Sequence, residues 1–126
     1  MKPEELKYTK DHAWVAVEKD VAQTGITDFA QKELGDVVFV DLPEIGRKCV
    51  AGQAIGSIES VKTQNDLLAP LTGEVVEVNP LLKEKPDTVN GDPYGKGWMM
   101  KIKMSAPAEL SKLMNLAAYE KHTQGS

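Results

Sequence analysis

The sequence predicts a mainly β, sandwich-like fold with one short helix early in the chain and helices at the C-terminus. Three observations predict it. Apolar residues alternate over short stretches, glycines and prolines interrupt those stretches before a helix completes, and apolar residues recur at helical spacing only near the end. The chain has 126 residues, of which 41% are hydrophobic, enough for one core without metal or disulfide help. One domain over residues 1–126 is expected.

Residues 12–17, H-A-W-V-A-V, alternate, and residues 21–26 follow the polar pair Lys19-Asp20, so the two segments form a first hairpin. Thr27 or Asp28 caps a short helix that carries Phe29, Ala30 and Leu34 on one side, and Gly35 supplies the left-handed residue that ends it. Residues 37–42 are an apolar run stopped by Pro43, and Gly46, Gly52 and Gly56 then punctuate segments too brief for helices. Residues 55–58 and 73–78 alternate in the strand manner. Between them lies a turn region holding Ser60, Val61, Lys62 and Thr63, with its tip near residues 60–64. Gly52 and Gly73 bracket the two arms, which places Lys62 at their shared end.

The polar stretch after Val78, with Pro80, Pro86, Asn90-Gly91 and Pro93, reads as a long surface excursion with one helical turn. Residues 98–104 return as a strand. Ser105, Pro107 and Glu109 announce a helix bearing Leu110, Leu113 and Met114, a second helical run covers residues 116–121, and this helical end, about 106–122, is expected to be peripheral. A shared glycine-then-apolar rhythm before and after Lys62 suggests two similar halves.

Net charge is −4, with acids and bases interleaved, so there is no basic field for nucleic acid or an anionic membrane; small-molecule or protein partners are expected. Cys49 is the only cysteine, which excludes an internal disulfide, and with two distant histidines it makes no recognisable metal set. It reads as a small buried residue. His12 and His122 read as strand-edge and surface residues, and Trp14 and Trp98 as core anchors. D-P-Y-G-K-G-W lacks phosphate-loop spacing. With no apolar signal core, an N-terminus too acidic for a transit peptide and no membrane-length stretch, the chain reads as soluble and cytoplasmic; a matrix protein already processed would read the same.

Taken alone, Lys62 is one solvated lysine among many, and its place at a hairpin tip is what singles it out. Residues 56–75, G-S-I-E-S-V-K-T-Q-N-D-L-L-A-P-L-T-G-E-V, resemble the lipoylation hairpin of the glycine cleavage H-protein family. Lipoyl domains of 2-oxoacid dehydrogenases are similar here too, whereas biotin carriers usually flank their lysine with methionines, and Val61 and Thr63 stand in those places. Leu6-Lys7-Tyr8, Gly25-Ile26-Thr27, Ala30-Gln31, residues 34–40, Leu42-Pro43, Val89-Asn90, Asp92-Pro93-Tyr94, Gly97-Trp98 and Tyr119-Glu120 extend the resemblance over almost the whole chain.

The resemblance implies a barrel-sandwich hybrid of the lipoyl/biotinyl type, in which two small antiparallel sheets are related by an approximate twofold. It also implies a non-catalytic carrier with lipoic acid joined covalently to Lys62. Glu59, Ser60, Val61 and Asp66 would mark the tip for recognition by lipoylating and partner enzymes. In the implied cycle a pyridoxal-phosphate glycine decarboxylase loads an aminomethyl group, a tetrahydrofolate-dependent aminomethyltransferase collects it, and dihydrolipoamide dehydrogenase reoxidises the arm. A groove for the arm is expected from the early hairpin and residues 37–40.

One departure stands out. The family typically reads H-E-W where this chain reads His12-Ala13-Trp14, and that glutamate is thought to hold the amine of the loaded arm. If the segment is extended, Asp11 lies on the same strand face as Ala13 and substitutes in part. The alternative implied by the change is a paralogous lipoate-binding protein that carries sulfur for a heterodisulfide-reductase-like complex, or one that acts in lipoyl relay.

Overall fold

The computed structural model describes residues 3–124. Strand β1 (Lys7–Tyr8) leads into the expected hairpin of β2 (Ala13–Glu18) and β3 (Val21–Ile26), whose two-residue loop places Lys19 at a φ of 59°. The alternation read from the sequence is real: Trp14 pairs with Gly25, and its indole lies so flat on that residue that a Cβ there would sit 2.7 Å from Trp14 Nε1. Helix α1 (Asp28–Leu34) is capped by Thr27, whose Oγ1 accepts the Ala30 N–H at 3.2 Å. Gly35, with a φ of 79°, ends the helix by donating its N–H to the Gln31 carbonyl.

The remaining strands are β4 (Val37–Asp41), β5 (Lys48–Cys49), β6 (Ala54–Ser60), β7 (Gln64–Leu68), β8 (Gly73–Val78) and β9 (Met100–Met104). All pairs are antiparallel. They form a six-stranded sheet in the order β1-β2-β3-β9-β8-β5 and a three-stranded sheet in the order β4-β6-β7, so the two sheets are unequal in size. Ile55, Ile58 and Leu67 of the smaller sheet share one core with Val75, Met100 and Ile102 of the larger.

The second arm of the lysine hairpin is β7, not residues 73–78 as the sequence suggested. The polar run Q-N-D hides β7 from an alternation search, and β8 belongs to the other sheet. The stretch after Val78 also differs from its reading as a surface excursion. It contains α2 (Leu81–Glu84) and α3 (Thr88–Gly91), and their Leu82 and Val89 are fully buried in the main core. Asn79 replaces a missing ladder there, donating through Nδ2 to the carbonyls of Lys96 and Trp98, both at 2.8 Å.

The C-terminal region is a 3₁₀ segment (Pro107–Lys112) followed by α4 (Leu116–Gln124). It is less peripheral than expected. Tyr119 is 4% exposed and stacks on Tyr8 with centroids 4.6 Å apart, and its hydroxyl meets Thr27 Oγ1 at 2.7 Å and His12 Nδ1 at 2.8 Å. His12 is therefore a latch for α4 rather than a strand-edge residue. Its burial, and then the neighbouring His122, hold the imidazolium below its ordinary range, against the opposing pull of Asp11 and Glu33.

For such a group the neutral form is favoured in the folded state, so the unfolded chain takes up the proton first as pH falls. The stability contributed by His12 is complete above about pH 6.5 and is lost progressively below it. Replacing His12 with Gln is expected to flatten the decline of the urea midpoint on the acid side of that value. An unchanged slope in His12→Gln would show that the latch does not titrate with folding.

Candidate functional site

The turn between β6 and β7 is closed by Ser60 and Thr63: the Ser60 N–H donates to the Thr63 carbonyl at 2.8 Å, and the Ser60 hydroxyl oxygen accepts the Thr63 N–H at 3.2 Å. Between these two residues stand Val61, 69% exposed, and Lys62, also exposed. A short turn fixed from both ends displays the lysine at its tip. Among the described residues Lys62 Nζ has no ion-pair or hydrogen-bond partner. Its stem passes over Gly35, where a Cβ would lie 3.4 Å from Lys62 Cε and 3.8 Å from Cδ. The Val61 N–H donates to the Asp36 carbonyl at 3.0 Å, which ties the tip to the loop between α1 and β4.

The other marked residues divide. Ser60 and Val61 belong to the tip. Glu59, half-buried, pairs across to Gln64 and Phe39, and exposed Asp66 pairs with Ser57, so both carboxylates project from the sheet face opposite Ile58 and Leu67. Asp66 lies further down the hairpin than Lys62 and stands away from the turn itself.

An apolar surface on β4 joins them. Register slips between Val37 and Phe39 where β4 pairs with β6, leaving Val38 as the extra residue, and this bulge turns Val38 and Phe39 outward at 52% and 49% exposure. The expected groove is thus half present, on β4, as an open apolar shelf; the early hairpin belongs to the other sheet. The concavities along residues 16–23 with Lys101, and along residues 41–47 with Ile55, are not lined by Lys62.

Ala13 is half-buried, opens β2 and pairs with Ile26. The argument for Asp11 as its substitute fails: His12 has a φ of 69°, and residues 10 and 11 form a turn, so strand alternation does not reach Asp11. Cys49 is a buried residue, as read, with its thiol pushed up by burial. Among the described residues no group of three or more His, Cys, Asp or Glu is placed to hold a metal, and no helix is long and apolar enough to cross a membrane.

Paired antiparallel sheets with an exposed lysine on a hairpin turn define a carrier domain of the lipoyl/biotinyl-like barrel-sandwich class. Comparison with known proteins narrows the class. The family described as "Glycine cleavage H-protein" matches residues 6–126. A glycine cleavage system H protein of Symbiobacterium thermophilum is 51% identical over 122 residues, covering 97% of this chain and 95% of its own. One from Acinetobacter baumannii is 54% identical over 118 residues, covering 94% and 95%. The crystal structure of a glycine cleavage system H protein from Mycobacterium marinum superposes with a TM-score of 0.89 at 38% identity, covering 98% of this chain and 99% of the other. This chain belongs to the glycine cleavage H-protein family.

Proposed function

We propose that the chain, acting as one carrier unit over residues 1–126, is a non-catalytic lipoyl shuttle of the glycine cleavage system with Lys62 as its attachment site. The observation that carries this is Lys62 itself, an unengaged amine on a turn closed by Ser60 and Thr63, in a chain of this family. Attachment joins Lys62 Nζ to the acyl carbon of adenylated lipoate, breaks the acyl–phosphate bond, frees AMP and releases protons from the amine to water. The residues present fit the group. The amine is open to a modifying enzyme, the turn is rigid, and Val38, Phe39 and Val61 offer exposed apolar surface to methylenes worth about 0.8 kcal/mol each when buried.

When bound, lipoyl supplies a dithiolane whose sulfur accepts an aminomethyl group and whose disulfide is reduced and reoxidised. The chain's part is to present, shelter and release that arm to glycine decarboxylase, aminomethyltransferase and dihydrolipoamide dehydrogenase in the cytoplasm. Glu59 and Asp66 give the partners charged points on the outer face. Incubation with a lipoate ligase, lipoic acid and ATP is expected to add one lipoyl increment by intact mass, mapped to Lys62. An increment at another residue, or none, would overturn the assignment.

Ala13 favours a second reading, sulfur carriage to a heterodisulfide-reductase-like complex. A buried ammonium needs an opposite charge, and alanine brings none to this position.

A further inference from the structure

Lys62 is held by more than its own turn. Asn90, in α3, uses its side-chain amide on three groups around the loop between α1 and β4: Oδ1 accepts the N–H of Val37, the first residue of β4, at 2.8 Å, and Nδ2 donates to the Gly35 carbonyl and to Oε1 of Gln31 in α1, both at 2.9 Å. These contacts lie on either side of Asp36. The Asp36 carbonyl is the one that takes the Val61 N–H, and Gly35 is the surface over which the lysine stem runs. Asn90 itself is fixed from below, because its neighbour Val89 is fully buried and the α3 turn closes with the Asp92 N–H donating to the Thr88 carbonyl at 2.9 Å.

We propose that Asn90 is a positioning residue for Lys62: by clamping Gly35 and Val37 it fixes the Asp36 carbonyl and the glycine platform, and so sets where the lysine amine leaves the surface. The inference rests on the reading of Lys62 as the acylated residue. A modifying enzyme that docks on the outer faces of the tip would still bind a chain lacking the clamp, but would find the amine misplaced. Displacements of about an ångström cost on the order of 100-fold in rate in demanding cases. A tethered lysine with its own flexible stem is more forgiving.

The test uses full-length chain, lipoate ligase, lipoic acid and ATP, with amide hydrogen exchange as a second readout. For Asn90→Ala, kcat for lipoylation is expected to fall by about tenfold with KM little changed, since alignment rather than docking is lost. Exchange at the Val61 amide is expected to accelerate while the Ile102 amide in the large sheet keeps its protection. Thr72→Val is the control: it removes the hydroxyl that donates to Glu109 Oε2 at 2.7 Å and accepts the Ala51 N–H at 3.0 Å, bonded to neither the tip nor the loop between α1 and β4, and is expected to leave kcat alone.

If Asn90→Ala does not fold, Asn90→Asp decides. It retains the acceptor for Val37 but turns a carboxylate oxygen toward the Gly35 carbonyl and Gln31 Oε1 in place of both donations, so its kcat is expected to fall below wild type and its Val61 amide to exchange faster. Wild-type kcat with a protected Val61 amide in a folded Asn90 variant, or a loss matched by Thr72→Val, would overturn the proposal. Failure of the wild-type chain to be lipoylated at Lys62 would overturn the underlying reading instead.

Discussion

Lys62→Arg chain from a lipoate-sufficient host is expected to carry no lipoyl increment, whereas wild-type chain from the same host is expected to carry one. The guanidinium keeps the positive charge, but because it stays protonated at every working pH it offers no neutral nucleophile, so the acyl transfer has no acceptor. The fold is untouched, because the turn is closed by backbone groups and by Ser60 and not by the lysine side chain. Surface exchanges of this kind shift stability by about 0.5 kcal/mol or less. Denaturant unfolding should therefore superimpose for the two proteins while their masses differ. A lipoyl increment that survives in Lys62→Arg would place the attachment elsewhere, and wild-type protein that is wholly unmodified would end the carrier reading.

Trp14→Ala is expected to be the most damaging core substitution near the site, at about 3–5 kcal/mol. Trp14 has no exposed surface, lies flat on Gly25 and gathers Leu6, Tyr8 and Tyr119 into one cluster. Its Nε1–H donates to the Pro93 carbonyl at 2.8 Å, which pins the far end of the segment that carries Asn90. Truncation opens a cavity over Gly25, which has no side chain to fill it, and leaves the buried Pro93 carbonyl unpaired at a further cost of about 1–3 kcal/mol. Against a total of about 5–15 kcal/mol for a typical domain, most of the margin disappears. Trp14→Phe keeps much of the ring and should lose chiefly the hydrogen-bond share. Urea unfolding measures both, and a loss below about 1 kcal/mol for Trp14→Ala would show that this cluster is not a core.

Features written in short range were legible in the sequence. Alternation around Trp14 and Val21, the Thr27 cap and the Gly35 stop are local physics, and the structure keeps each of them. So is the tip, where glycine spacing placed Lys62 even though the partner strand is β7 and not residues 73–78. What was hidden depends on contacts distant in sequence. Strand β7 reads as polar because its first three residues face solvent and only Leu67 is buried. Residues 37–40 read as lining for the arm, but which of them face outward was not legible: one extra residue in β4 turns Val38 and Phe39 out, and a bulge leaves no mark in composition. Leu82, beside Leu81, and Val89 stand in a polar stretch punctuated by prolines, with no period to declare them buried.

The site divided along the same line. Lys62, Ser60 and Val61 were readable because the turn is local. Asn90 was readable only as half of an Asn-Gly turn signal, since its role depends on three backbone and side-chain groups more than fifty residues away. The left-handed φ of His12 likewise removed Asp11 from the strand face on which the sequence had placed it.

The central claim, that this carrier moves an aminomethyl group, is tested most directly by isotope exchange. Lipoylated chain, glycine decarboxylase, glycine and labelled bicarbonate are expected to move label into the glycine carboxyl carbon, and unlipoylated chain or Lys62→Arg chain is expected to add nothing above decarboxylase alone. No exchange from the fully lipoylated wild-type chain, together with exchange restored in Ala13→Glu, would contradict that claim and assign the arm a different cargo.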